Sequence, residues 1–167
     1  MIEVEELKNR IKKTIKIFYK NDFFLIDKET NERSITHKLA EYIQREFPEY
    51  HVDCEYNRMK KDRDMTSDEY FSKKLDLPKK QTDSYDIEAT TVYPDIIIHR
   101  RGNNNDNLLV IEVKKDIKDR QEAENFDITK IKAYVKIKEL NYNYGLFLKL
   151  FKNPKETLER LDWYPKK

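Results

Sequence analysis

The 167-residue chain reads as an α/β protein: a mixed β-sheet flanked by helices, with core order αβββαβ and one additional helix at its amino-terminal end. Three observations predict this class. Apolar residues recur at helical spacing in three separate segments, residues 50–57 alternate apolar with polar side chains, and two aliphatic runs flank a polar turn at residues 101–107. Hydrophobic residues make up 38% and charged residues 40% of the chain, enough apolar content at this length for one core, so residues 1–167 are read as a single domain.

Each element has its own signal. Ile2, Leu7, Ile11, Ile15 and Phe18 form one stripe along residues 2–18, an amphipathic helix within an accessory segment spanning 1–22. The core spans 31–151. Asn31 is a cap candidate before "ERSITHKLAEYIQREF", where Ile35, Leu39, Ile43 and Phe47 share a face and Pro48 stops the run. In "YHVDCEYNR", Tyr50, Val52, Cys54 and Tyr56 alternate with His51, Asp53, Glu55 and Asn57, the pattern of a strand with one buried face. Residues 58–91 are charged and weakly periodic, and read as a solvated insertion with a short helix near 70–75. Strands over 92–100 and 108–114 should pair antiparallel across "RGNNNDN", whose Gly102 and asparagines suit a tight hairpin turn. Ala123, Phe126, Ile131, Ala133, Tyr134 and Ile137 then predict a helix, and Tyr144, Leu146, Leu148 and Leu150 a strand. In the tail, 152–167, Asn153 and Pro154 predict the start of a short helix over 155–161.

Composition excludes several function classes. The 34 basic and 32 acidic residues leave a net charge of only +2, so bulk charge identifies no partner. Cys54 is the sole cysteine, which excludes an intramolecular disulfide and a multi-cysteine zinc site and makes the reducing cytoplasm the expected compartment. The two glycines, Gly102 and Gly145, are too few for a Gly-rich phosphate loop. Charges interrupt the first apolar residues every few positions, so neither an export signal nor a membrane span is expected.

The informative feature is charge inside apolar strands. Even positions of the run 108–114 share one strand face, so Glu112 and Lys114 project together. The odd positions Leu109, Ile111 and Val113 are apolar as well, and an ionised carboxylate covered on both faces must find a cation or hydrogen bonds. Asp95 follows Pro94, which cannot donate to a sheet ladder and favours a strand end or a distortion. If the two strands form a hairpin, Asp95 and Glu112 approach as two oxygen ligands of the kind that hold Mg²⁺, with Lys114 beside them. Such a set suits phosphodiester hydrolysis, because a divalent ion acidifies water and an ammonium offsets phosphoryl charge.

"Pro94-Asp95", 16 intervening residues and "Glu112-Val113-Lys114" resemble the PD-(D/E)XK signature of the restriction-endonuclease-like nuclease superfamily. The resemblance covers residues 31–151 in element order, and implies a helix, three antiparallel-type strands, a helix and a strand. It implies a nuclease that cuts DNA, less often RNA, using Mg²⁺ or Mn²⁺. Asp95 and Glu112 would hold the metal, Lys114 would orient water or stabilise charge, and Glu32, on the helix before the first strand, would add a further ligand. The Gln-plus-aromatic pattern of exonuclease-like branches is not matched, since Gln121 is followed at that spacing by Asn125.

Blander roles compete at several positions. Glu32 also suits the first turn of a helix, where a carboxylate favours the dipole. Glu55 is a weak candidate, Lys130 and Tyr134 either contact phosphate or pack, and His37, His51 and His99 are read as packing or surface residues. The lysines of "RMKKDR", "KKLDLPKK" and "EVKKDIKDR" could track a phosphate backbone, with Tyr70, Phe71 and Tyr85 stacking on bases, but interspersed acids favour a solvated face. The expected partner is therefore nucleic acid, DNA ahead of RNA, with no membrane, and with a homodimer or a partner protein to deliver substrate. The rival reading is a non-catalytic binding protein on the same scaffold, in a defence or mobile-element system.

Overall fold

The structure, a computed structural model, describes residues 2–28, 30–56, 58–60, 70–72, 74–75, 90–91, 93–102, 104–117, 120–138 and 140–165. Helix α1 (Val4–Asp22) buries Leu7, Ile11, Ile15 and Phe18 of the expected stripe, whereas Ile2 lies before the helix and is half-buried; a single turn, α2 (Phe24–Asp27), follows. Helix α3 (Glu32–Glu46) starts where its cap predicts: the Ser34 backbone N–H donates to Asn31 Oδ1 at 2.9 Å. Strand β1 (His51–Cys54) comes next.

Inside the insertion, β2 (Arg58–Lys60) pairs antiparallel with β3 (Tyr70–Ser72), and β4 (Lys74–Leu75) with β5 (Thr90–Thr91). The short helix expected near 70–75 is thus replaced by two short strands. Tyr70 and Phe71, as aromatic residues, favour extended backbone once a ladder partner is at hand, and the partners of both strands come from distant parts of the insertion. The side chains of Tyr70, Phe71 and Tyr85, and those of "RMKKDR" and "KKLDLPKK", lie outside the described residues.

Strand β6 (Ile96–His99) is shorter than the expected 92–100. Pro94 has no N–H to give, and the Glu55 N–H donates to Pro94 O at 3.1 Å and Asp95 O at 3.4 Å, ending the regular ladder there. The connection to β7 (Leu109–Lys115) is longer than a tight turn: it passes Gly102, at φ 75°, and a 3₁₀ turn at Asn104–Asp106. Helix α4 (Gln121–Lys136) and strand β8 (Tyr144–Leu150) complete the expected core. Beyond it, α5 (Pro154–Glu159) is capped by Asn153, whose Oδ1 accepts the Lys155 N–H at 3.0 Å, and leads into β9 (Asp162–Pro165).

The main sheet runs β1-β6-β7-β8-β9, with β7 and β8 parallel across the α4 crossover and every other neighbouring pair antiparallel. It has five strands, so the expected set of three antiparallel-type strands plus one is extended by β9, which pairs Trp163 with Leu146 and Tyr164 with Gly145. Helices α1 and α3 cover one face through a core that includes Ile96, Ile98, Ile111 and Val113. On the opposite face Ile97 and Val110 meet Tyr134 and Val135 of α4, together with Leu140 and Tyr142. The crossover helix lies so close that a Cβ on Gly145 would fall 2.2 Å from Ile131 Cγ2, which accounts for one of the two glycines. No helix among the described residues is long and apolar enough to cross a membrane.

Candidate active site

The register of β6 and β7 pairs Ile96 with Ile111, so Asp95, one residue before β6, comes beside Glu112. Asp95 Oδ2 accepts the Val113 backbone N–H at 2.7 Å, which fastens the residue after Pro94 to the neighbouring strand. Glu112 is only 1% exposed. It lies on the α4 side of the sheet with Val110, and its Oε2 pairs with Lys130 Nζ of α4 at 2.9 Å. Among the described residues Glu112 Oε1 is buried without a hydrogen-bond partner, which marks it as an acceptor lacking a donor or a cation.

Lys114 follows on the same strand face but turns to other acids. Its Nζ is 3.0 Å from Asp127 Oδ2 on α4 and 3.4 Å from Glu32 Oε2 at the start of α3. Lys130 Nζ also lies 3.6 Å from Asp127 Oδ1 and 3.4 Å from the Tyr93 carbonyl. Glu32 Oε1 is 3.4 Å from both Arg120 Nη1 and the Lys115 N–H. An alternating chain of acids and cations therefore runs from β7 across α4 to α3.

A cavity of about 210 Å³ opens beside this network, lined by Glu32, Arg33, Thr36, His37, Cys54, Glu55 and Asp95. Two of the predicted site acids, Asp95 and Glu32, share its wall. Glu55 sits there at φ 50°, an uncommon backbone state for a residue other than glycine, and pairs with Arg33 Nε at 3.0 Å. Desolvation, with Asp53, Asp95 and Glu55 nearby, pushes the Cys54 thiol up to about 11, so Cys54 is no thiolate nucleophile at neutral pH.

The charges at the centre are far from their solution behaviour. Burial, then the neighbouring Asp95 charge, raises Glu112 well above the usual carboxylate range, and Lys130 only partly offsets this. Burial raises Asp95 as well, against the Val113 hydrogen bond and Lys114. Desolvation alone would lower Lys114 and Lys130, but the surrounding carboxylates carry both above the ordinary lysine value. Lys114 is consequently held as an ammonium at neutral pH, suited to orienting water or offsetting charge and unsuited to removing a proton.

The structure thus brings Asp95, Glu112 and Lys114 together at adjacent strand positions, and reaches Glu32 through Lys114 rather than through the other two acids. The sequence alone does not single out Asp127, and it leaves Lys130 as a phosphate contact or a packing residue. Their signal is the same as for the strands: two charges three residues apart on the buried face of α4, near Ile131 and Tyr134. Gln121 donates to Asn125 at 3.2 Å on the exposed side of that helix. His99, 4% exposed, packs behind β1 with its Nε2 2.8 Å from Asp53 Oδ2, and His51 Nδ1 accepts the Arg101 N–H at 3.3 Å. Comparison of the chain with protein-family models, with curated proteins and with solved structures finds no match in any of the three.

Among the described residues, no group of three or more His, Cys, Asp or Glu side chains is gathered to hold an ion. A Mg²⁺ site needs fewer, since one or two carboxylates with waters and substrate phosphate suffice. Asp95 and Glu112 meet that requirement, and the orphaned Glu112 Oε1 is the atom a cation would satisfy.

Proposed function

We propose that this chain is a metal-dependent nuclease that hydrolyses phosphodiester bonds, in DNA ahead of RNA, with Mg²⁺ or Mn²⁺ as cofactor. The observation that supports this most is Glu112, a carboxylate 1% exposed with one oxygen unpartnered, set beside Asp95 by strand register. A stability-driven core would not retain such a group, because an unsatisfied buried acid is costly.

Asp95 and Glu112 would hold the ion, while Glu32, on the cavity wall, is engaged by Lys114 and Arg120 and steadies the ammonium beside them. A divalent ion supplies Lewis acidity toward the phosphoryl oxygens and lowers the pKa of water. Lys114, kept protonated by Asp127 and Glu32, presents an ammonium that orients water and offsets developing charge. Asp127 acts through Lys114 as a positioning residue. The cavity bounded by Glu32, Thr36, Glu55 and Asp95 is the place for the scissile phosphate.

The test is cleavage of labelled double-stranded DNA, single-stranded DNA and RNA with Mg²⁺ or Mn²⁺, comparing wild type, Lys114→Met and Asp95→Asn. Wild type should cut at least one substrate, EDTA should stop it, and each substitution should cost about 10²–10³-fold in rate. Cleavage at wild-type rate by Lys114→Met would refute the role of Lys114. No cleavage of any substrate with either ion would favour the rival binding-protein reading, to which one observation already lends weight: Lys130 fills a cation's place at Glu112.

A further inference from the structure

We propose that Lys130 is a built-in counter-cation for Glu112, occupying the carboxylate until a divalent ion takes its place. This rests on the metal site proposed above and adds to it the residue that the metal must displace.

The geometry is that of a captured cation. Lys130 Nζ is surrounded by three oxygens: Glu112 Oε2 at 2.9 Å, the Tyr93 carbonyl at 3.4 Å and Asp127 Oδ1 at 3.6 Å. Lys130 is 8% exposed, so its charge is screened by these groups rather than by water. It spans the two parts of the metal site, reaching from the acid on β7 to the backbone just before Pro94-Asp95. Lys114 is held differently, by Asp127 and Glu32, and leaves Glu112 to Lys130.

Charge counting shows why the arrangement is exchangeable. Asp95, Glu112, Asp127 and Glu32 supply four carboxyl groups against the three cations Lys114, Lys130 and Arg120, so the cluster is one positive charge short when all are ionised. A divalent ion on Glu112 and Asp95 turns that deficit of one charge into an excess of one, and it repels an ammonium on the same carboxylate at contact distance. Four rotatable carbons let the Lys130 head swing away while its stem stays packed, and an entering phosphodiester offers the displaced ammonium a new anion. Metal and substrate phosphate should therefore bind cooperatively.

Two measurements test this on the whole chain. In the first, Mn²⁺ is titrated calorimetrically at about pH 8 into wild type, Lys130→Met and Lys130→Met/Glu112→Gln. Removing the internal cation should tighten Mn²⁺ binding about tenfold or more, and the double substitution should abolish the gain. Thermal melting checks that each variant is folded. In the second, wild type is reductively methylated with and without Mg²⁺, and Lys130 labelling is read by peptide mass spectrometry. Lys130 should be protected alone and become reactive with the ion. Mn²⁺ binding by wild type with no gain in Lys130→Met, or Mg²⁺ binding with unchanged Lys130 labelling, would overturn the counter-cation while leaving the metal site standing. No binding of Mn²⁺ to any of the three proteins would overturn the metal site itself, and the counter-cation with it.

Discussion

Replacing Glu112 by glutamine should stabilise the metal-free protein while removing its metal ligand. Glu112 is 1% exposed, one oxygen pairs with Lys130 at 2.9 Å, and the other has no partner among the described residues. The amide keeps an oxygen for Lys130, removes the excess negative charge, and places N–H groups among the acids that raise Glu112. Relieving one unsatisfied buried charge is worth about 1–2 kcal/mol, or about 3–6 °C in Tm for a chain of this size. Glu112→Ala should do the reverse: it leaves Lys130 buried with the Tyr93 carbonyl and Asp127 as its more distant partners, and should cost about 3 kcal/mol.

The pH dependence gives a stricter check. The folded-state pKa of Glu112 lies above its unfolded value, so its contribution to stability is full below the unfolded pKa of about 4.3 and is lost as pH rises through the raised value. The advantage of Glu112→Gln over wild type should therefore grow from about pH 4.3 upward. Differential scanning calorimetry in EDTA across that range measures it. A glutamine variant that melts as low as the alanine variant at every pH would show that the Glu112 charge is a net stabiliser, and would remove the argument that this acid is kept for a cation.

Two further outcomes test the fold around the site. Burial would raise Asp53, but bonds from Arg101 and His99 hold it well below the usual carboxylate range, so its stabilisation exists above about pH 3.9 and fades as pH falls through its depressed value. Asp53→Asn should cost about 1–3 kcal/mol at neutral pH and progressively less in acid, as read by urea melts from about pH 7 down to about pH 2. An equal cost at both ends would show that the carboxylate charge is not what binds β1 to β6. Gly145→Ala should cost about 1–3 kcal/mol by forcing α4 away from β8, because the new methyl would sit 2.2 Å from Ile131 Cγ2. Since Lys130 is adjacent to Ile131, the same change should alter Mn²⁺ affinity, and unchanged affinity with a lowered Tm would separate packing from the site.

The helices were legible because their signals are local. The stripes of α1 and α3 and the caps at Asn31 and Asn153 involve residues within one or two turns of each other, and all four are found, the α1 stripe without Ile2, which precedes the helix. Short strands are less legible: 70–75 reads as a helix but pairs with distant residues, and β9 lies within what reads only as a tail, its alternation too brief to stand out. At the site, the sequence showed that charges were embedded in apolar strands, and the alternation of β7 alone placed Glu112 and Lys114 on one face.

By itself, then, the sequence determined which segments coil or extend, which faces are apolar, and that Asp95, Glu112 and Lys114 are out of keeping with their surroundings. Only the tertiary structure decided their partners: Glu112 is matched with Lys130 rather than Lys114, and Lys114 with Asp127 and Glu32. The physical reason is range. Periodicity records interactions over a few residues, whereas the charge that meets a buried carboxylate is set by how closely α4 packs on β7 and β8, and that closeness depends on Gly145 and on the register of strands distant in sequence.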